Sequence, residues 1–459
     1  MMDDSTNGPL IIFPEAGYKI IIQTHKLLFS SFLLHLCFRS NNNTMLEVQL
    51  QRLALYLGCA VPSILFYLVT KNQTIKRASS GAPDWLLVLI GFIQVLVPVF
   101  YDGRGAVIDR VISAVMAIIM TSGMFFYVRD RQQTPEGNEI QPFYSILTRW
   151  NEAPSSTSNK HKKNDDVKQQ DAPSLSEIRV DALKFLLRAV AYTLIYIPVF
   201  STMDGFIRAC REPPETTTTI PYIRRFFTAS IPTASTFYYI WLGVTLTLHI
   251  AIIPLVHLIA HAVQLNIVAW IPNVNYKTLL RLHAELAHFV AQPPLFDKPW
   301  LTRSVYDLWS HRWHQIFRPG FHQVAYNPVR RLFGKEHKHI GRIAGTIAVF
   351  ACSGLMHDYI ILAAVGPSNY NQPGIIGYQT LFFLLQALAT LVSVMSPRLP
   401  TWLARTLTWF WVLYTAPLFI EPYVRIELHH SATVPGFPKF MDTPLEGICP
   451  YGPRRLVNQ

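Results

Sequence analysis

The chain has 459 residues, of which half are hydrophobic and only 15% are charged. Its length would suit two or three soluble domains, but this composition argues against them because so much apolar surface requires lipid as its solvent. The formal net charge of +12 could indicate a nucleic-acid partner. The basic residues are instead spread over the loops between apolar segments, so no nucleic-acid partner is predicted.

Apolar segments long enough to cross a bilayer, roughly 20 residues each, recur along the chain. The first is interrupted by His25, Lys26 and His35, and it could instead lie on the membrane surface. The sequence therefore predicts an all-α integral membrane protein with about 8–9 transmembrane helices. In chain order the predicted spans are 19–38, 50–70, 85–101, 105–128, 182–200, 236–263, 340–365, 374–395 and 401–420.

These spans divide the chain into six regions. The segment 131–181 is polar and poor in branched apolar residues, so it is predicted to be a mobile cytosolic loop. The other five regions are N-terminal transmembrane helices (1–130), central transmembrane helices (182–263), a cytosolic motif loop (264–339), catalytic transmembrane helices (340–420) and a C-terminal tail (421–459).

The distribution of basic residues predicts the orientation in the membrane. Alternation of the spans places the loops 71–84, 129–181 and 264–339 on one side, and their excess of Lys and Arg indicates the cytosol. The glycosylation sequon at Asn42 then lies in the lumen. We expect a multi-pass protein of the endoplasmic reticulum membrane.

The cysteines give no sign of a structural framework. They are widely spaced, and neither a disulfide framework nor a CxxC metal site is predicted from them. The five are Cys37, Cys59, Cys210, Cys352 and Cys449.

The motif loop contains the first group of residues suited to a functional site. Long ordered loops usually carry a function, and this one is dense in aromatic residues, His and Arg. Its segment 293–318 brings Trp309, Arg312, Trp313 and His314 close together in sequence.

The second group is SGLMHD, residues 353–358, in a segment predicted to lie inside the membrane. Ionisable groups at bilayer depth are costly and usually face a cavity or a partner. His357 with Asp358 therefore indicates a functional site. A structural histidine that is satisfied by a neighbouring helix is the alternative interpretation.

Together, PWLTRSVYDLWSHRWHQ and SGLMHD resemble the wax synthase-like branch of the membrane-bound O-acyltransferase superfamily. The wording of both motifs and the polar insert before residue 182 are most similar to fungal members that acetylate terpenoid or meroterpenoid hydroxyls in secondary metabolism. The resemblance implies helices that enclose a catalytic chamber, acyl-CoA as co-substrate, and a lipophilic alcohol as acceptor. It implies neither a bound cofactor nor a metal.

The resemblance also implies roles for the two motif histidines. His357 is expected to be the catalytic base, because a neutral imidazole can take the proton of an attacking hydroxyl near pH 7. Many relatives have Asn where His314 stands, and Asn cannot be a base. The expected role of His314 is therefore to donate a hydrogen bond to the developing oxyanion.

Further site residues are expected around these histidines. Each of these residues also has a purely structural interpretation. The arginines can reflect ordinary positive-inside topology, the tryptophans can be interfacial anchors, and Ser353 can be a packing residue. The expected orienting or neighbouring residues are Asp358, Ser353 and Trp313, and the expected acyl-CoA-binding residues are Arg303, Arg312, Arg318 and Trp309.

The sequence thus predicts an acyl-CoA-dependent O-acyltransferase that acetylates a terpenoid alcohol, with a long-chain wax-ester synthase as the alternative. Two other classes stay open. The i,i+4 pair His257 and His261 and the i,i+3 pair His311 and His314 would suit a membrane di-iron oxygenase, although the third histidine box of such enzymes is incomplete. A multispan transporter is the other alternative, without the internal repeats that favour it.

Overall fold

A computed structural model describes residues 44–70, 83–100, 107–133, 173–211, 232–291, 295–372, 374–396, 399–431, 447–449 and 451–453. The architecture of this part is α-helical, which confirms the predicted fold class. The main helices are α1 (Thr44–Thr70), α2 (Asp84–Phe100), α3 (Val107–Gln133), α4 (Leu175–Ala209), α5 (Pro232–Ala269), α6 (Tyr276–Ala291), α7 (Lys338–Val365), α8 (Tyr378–Met395), α9 (Thr401–Arg425) and α10 (Leu428–Ser431).

Seven of the described helices are long and apolar enough to cross a membrane, namely α1, α3, α4, α5, α7, α8 and α9. The apolar helix α2 has 17 residues and is shorter than these. Each predicted span from 50–70 onward coincides with one of these eight helices. The predicted span 19–38, the sequon at Asn42 and most of the loop 131–181 lie outside the described residues.

The helices pack in three groups. Helices α1, α2 and α3 share a core around Phe66, Leu87 and Met124. Helix α4 runs along α5, and α6 lies across both with Leu279 and Leu286 buried. Helix α4 begins with a capping box, which satisfies backbone donors at its first turn. The third group, α7 to α9, lies between the other two.

The contact between α7 and α8 depends on a glycine. A Cβ atom on Gly354 would lie 2.6 Å from the Cα atom of Thr380, closer than packed atoms can approach. Small residues allow such close helix contact in membranes, where packing rather than water drives association. Gly354 therefore fixes the distance between the two helices that carry the SGLMHD motif and its partners.

The predicted motif loop, 264–339, has more structure than a cytosolic loop. Its second half is a chain of short helical turns between Pro299 and Leu332. Within it, the Trp309 indole Nε1 donates to Gln386 Oε1 at 3.3 Å. Gln386 lies nine residues before the end of α8 at Met395, so the loop reaches about 14 Å along α8 at 1.5 Å per residue. Part of the motif loop therefore lies inside the helix bundle.

The prediction that the cysteines form no disulfide is wrong for one pair. Cys210, after α4, is bonded to Cys449 in the tail. The two residues are 239 positions apart, a separation at which sequence spacing gives no sign of a pair. The predicted topology places both on the lumenal side, and disulfides persist in such oxidising compartments. The bond thus agrees with a cytosolic motif loop and a lumenal C-terminal tail.

Candidate active site

A chamber of about 1000 Å³ lies among α3, α5, α7, α8, α9 and the motif loop. Both motif histidines, His314 and His357, line it, and they come from different segments of the chain. Most of the other lining side chains are aliphatic or aromatic. The chamber is therefore an apolar space with few polar groups, which is typical of a site for a lipophilic molecule.

His357 is positioned by α7 and contacts two aromatic rings that also contact each other. Its imidazole stacks on Phe383, with ring centroids 5.1 Å apart and an interplanar angle of 15°. Phe419 meets it edge-on, at 5.0 Å and 77°. Its Nδ1 atom lies 3.2 Å from the Tyr423 hydroxyl. These contacts fix the plane of the ring. They involve Nδ1 but not the other ring nitrogen, Nε2.

The depth of His357 follows from the helix. It is 19 residues from the first residue of α7, Lys338, and this corresponds to about 28 Å along the axis. In the predicted orientation Lys338 is at the cytosolic end. The imidazole therefore lies beyond the middle of this 28-residue helix, counted from its cytosolic end.

His314 stands at a sharp bend of the motif loop. Its backbone has a φ of 48°, in the left-handed region that most residues avoid but Asn and His tolerate better. Phe296 and Phe317 pack against its ring, with centroids 4.9 and 5.5 Å away. Burial lowers the pKa of His314 to about 4, so the ring is neutral at physiological pH.

The Nε2 atom of His314 is buried and has no hydrogen-bond partner among the described residues. Buried polar atoms are rarely left unpaired, because each loses its hydrogen bonds to water. An unpaired ring nitrogen on a residue that lines a chamber is suited to bind a polar atom of a substrate. Asn would tolerate the same backbone conformation and could donate a hydrogen bond in place of His314.

The prediction that Asp358 orients His357 is not supported by the geometry. The Asp358 Oδ2 atom accepts hydrogen bonds from the backbone N–H of Thr380, at 3.2 Å, and from its hydroxyl. Thr380 is in the first turn of α8. Successive residues on a helix point about 100° apart, so Asp358 caps α8 while His357 faces the chamber. The hydrogen-bond partner of His357 is Tyr423, which the sequence analysis missed.

Of the other predicted neighbours, Ser353, Trp313 and Trp309 all line the chamber. Ser353 lies one turn before His357 on α7. Trp309 packs edge-on against Phe382, with ring centroids 6.3 Å apart, and Trp313 contacts Phe296. Trp309 thus packs against α8, and Trp313 packs within the motif loop.

The three predicted phosphate-binding arginines have different surroundings. Arg312 is tied within the motif loop, with Nε 2.8 Å from Asp307 Oδ2 and Nη1 donating to the Asp297 carbonyl oxygen. Arg303 is exposed and does not line the chamber. Arg318 does line it and is exposed. Two further residues that the sequence analysis missed, His339 and Arg342 at the start of α7, also line the chamber.

The histidine pairs that suggested a metal do not converge. His257 and His261 face each other on α5, with ring centroids 3.9 Å apart, next to Phe289. Neither lines the chamber. In the described part of the chain, no three His, Cys, Asp or Glu side chains lie close enough to hold a metal ion together.

Comparison with known proteins places the similarity on this chamber. Residues 292–385 match the Membrane bound O-acyl transferase family. The chain is 31% identical over 104 residues to the long-chain-alcohol O-fatty-acyltransferase of Simmondsia chinensis, covering 22% of this chain and 27% of that protein. It is 30% identical over 107 residues to "Probable long-chain-alcohol O-fatty-acyltransferase 1" of Arabidopsis thaliana, covering 23% and 29%.

A third similar protein is the acyl-CoA–sterol O-acyltransferase 1 of Arabidopsis thaliana, 26% identical over 147 residues, which are 30% of this chain and 41% of that protein. The chain therefore spans between 27% and 41% of the length of these three relatives. The segment 292–385, which carries both His314 and His357, is the part of this multi-pass membrane protein that matches the membrane-bound O-acyltransferase family.

Proposed function

We propose that the protein is a membrane-bound O-acyltransferase that moves an acyl group from acyl-CoA to a lipophilic alcohol, with His357 as general base. One observation carries this proposal: His357 and His314, from separate segments, line a single apolar chamber in which His314 Nε2 has no partner among the described residues. The family match over the same segments supports it.

The proposed reaction needs little beyond these two side chains. The thioester is already activated, so the alcohol must only lose its proton as its oxygen attacks the carbonyl carbon. That proton moves to His357, while a hydrogen bond from His314 stabilises the oxyanion. The carbon–sulfur bond then breaks, and the imidazolium returns the proton to the sulfur of the departing coenzyme A.

Basic side chains in the chamber lining support a route for the donor. Arg318 lines the chamber, and so do His339 and Arg342 at the start of α7, which is cytosolic in the predicted orientation. Guanidinium groups bind phosphates through paired hydrogen bonds, and coenzyme A carries its phosphates far from its thioester. If these side chains bound the nucleotide of coenzyme A, its pantetheine arm would be able to extend along α7 toward His357.

Exposed apolar side chains in the chamber lining support a route for the acceptor. Ile240 and Val244 of α5 line the chamber and are both exposed. A lipophilic alcohol that is dissolved in the bilayer could therefore reach the base from the side of α5 without crossing water.

The proposed role of His314 is tested by three substitutions. His314→Asn keeps a hydrogen-bond donor and a residue that accepts the left-handed backbone, so it should reduce turnover least. His314→Ala removes the donor and strains the bend. His314→Gly removes the donor without strain. We expect the Gly and Ala variants to lose a similar share of kcat, on the order of a hundredfold as for removal of one oxyanion donor.

The measurement is the rate of ester formation by equal amounts of each folded variant. Equal losses in the Asn, Ala and Gly variants would favour proton transfer by His314. A Gly variant as active as the wild type would assign the loss in the Ala variant to backbone strain.

We further propose acetyl-CoA as the donor and a polycyclic terpenoid alcohol as the acceptor, in the biosynthesis of a secondary metabolite. The wording of SHRWHQ and SGLMHD supports this choice, and a chamber of about 1000 Å³ has room for a bulky acceptor. A second candidate, a long-chain wax-ester synthase, is favoured by the names of the plant relatives.

A crossed assay separates these candidates. Membranes that contain the protein are incubated with acetyl-CoA or palmitoyl-CoA, each with a polycyclic terpenoid alcohol or hexadecanol, and the esters are identified by mass spectrometry. We expect the terpenoid acetate to dominate. Hexadecyl palmitate as the sole product would overturn the acetyl proposal and leave the acyltransferase mechanism intact. No ester from any pair, with a plant relative active beside it, would contradict the proposed function itself.

A further inference from the structure

The hydroxyl of Tyr423 is the hydrogen-bond partner that the described structure provides for the His357 imidazole. The two side chains come from α9 and α7, 66 residues apart, and Nδ1 and Oη are 3.2 Å from each other. Both residues line the chamber. Phe383 stacks on one face of the ring and Phe419 meets the ring at 77°, and neither offers it a conventional hydrogen bond.

A neutral imidazole has one protonated nitrogen and one lone pair, and the partner of one nitrogen determines what the other can do. If Nδ1–H donates to Tyr423 Oη, Nε2 carries the lone pair and can accept a proton. If the hydroxyl donates to Nδ1 instead, Nε2 carries the hydrogen and cannot act as a base. The function proposed above therefore requires the first arrangement.

Resting on that proposed function, we propose that Tyr423 is a positioning residue for catalysis: its hydroxyl oxygen accepts the Nδ1–H of His357 and keeps Nε2 free for the alcohol proton. The proton balance is simple. Nε2 takes the proton from the alcohol and returns it to the sulfur of coenzyme A. Nδ1–H stays bonded to Tyr423 throughout, so Tyr423 neither gains nor loses a proton.

The surroundings of Tyr423 fit such a role, because they hold the ring still. It is buried and packs edge-on against Phe419, with centroids 5.5 Å apart. It belongs to a core cluster that includes Ile361 of α7 and Leu428 of α10. Asp358, the carboxylate next to His357 in sequence, accepts a hydrogen bond from Thr380 instead.

The test is Tyr423→Phe, which removes the hydroxyl and keeps the packed ring. Release of coenzyme A is followed by thiol detection, with acetyl-CoA and a terpenoid alcohol and with palmitoyl-CoA and hexadecanol. Rates are expressed per mole of monodisperse protein in detergent. We expect kcat to fall about tenfold, as for the loss of one buried hydrogen bond, with KM for the acyl-CoA unchanged.

Two further variants separate positioning from general stability. In a His357→Ala background, Tyr423→Phe should cause no additional loss, because it acts through the missing imidazole. Tyr414→Phe, on the same helix but outside the chamber lining, should keep the wild-type rate. Wild-type kcat in Tyr423→Phe, or a further loss of rate in the double variant, would overturn the proposal. Full activity in His357→Ala would instead overturn the proposed function.

Discussion

Replacing His357 by Ala is expected to lower turnover by roughly a hundredfold or more, the scale of general-base catalysis. The physical reason concerns the side chains that contact His357 in the described structure. They are Phe383, Phe419 and Tyr423, and none of them can take the proton in its place. The imidazole borders the chamber, so its removal should leave the helix bundle intact. The measurement is the initial rate of ester formation, beside the amount of protein recovered from membranes.

The matched control is His261→Ala, which also removes a histidine from a membrane helix. His261 lies on α5 outside the chamber lining, so its loss should leave the rate unchanged. A His357→Ala protein with the wild-type rate would contradict the assigned base. A protein absent from the membrane would place His357 among the residues that the fold itself requires.

Replacing Gly354 by Ala is expected to destabilise the protein by about 1–3 kcal/mol, the usual cost of overpacking. The new methyl group would lie 2.6 Å from the Thr380 Cα atom, and backbone cannot move aside as a flexible side chain can. Helices α7 and α8 must separate, and the Asp358 bond to Thr380 must lengthen with them. Thermal unfolding in detergent measures the change.

The control for this prediction is Gly58→Ala in α1. A Cβ atom at Gly58 meets its nearest neighbour, Val97 Cγ1, at 4.0 Å, an ordinary contact. Since Ala is the better helix former by about 1 kcal/mol, Gly58→Ala should be neutral or stabilising. Equal melting temperatures for Gly354→Ala and the wild type would mean that α7 and α8 are not held at this distance.

Hydropathy alone was enough to predict most of the helices, because a bilayer demands long apolar segments that few other structures contain. The same reasoning singled out His357, since an ionisable group at that depth is costly unless it has a role. His314 stood out in the sequence only as part of a cluster of aromatic and basic residues, and its expected role came from the resemblance. Nothing in its local sequence predicts a left-handed bend or a place in the chamber.

The partners of these residues could not be predicted, since they depend on how distant helices pack. Tyr423 is 66 residues from His357, and no periodicity connects them. Asp358 is adjacent to His357 in sequence, but it accepts a hydrogen bond from Thr380 of α8. Arg312 was assigned to phosphate, whereas Asp307, five residues earlier, already engages it.

The bond between Cys210 and Cys449 turns a large part of the protein into a closed covalent ring. Helices α5, α7, α8 and α9, together with the motif loop, lie between the two half-cystines. Of the helices that surround the chamber, only α3 lies outside this ring. One cut of the backbone within the ring would therefore leave a single covalent molecule, and only a reductant would release two fragments. The walls of the chamber are in this sense held together by a covalent bond as well as by packing, at the end that is lumenal in the predicted orientation.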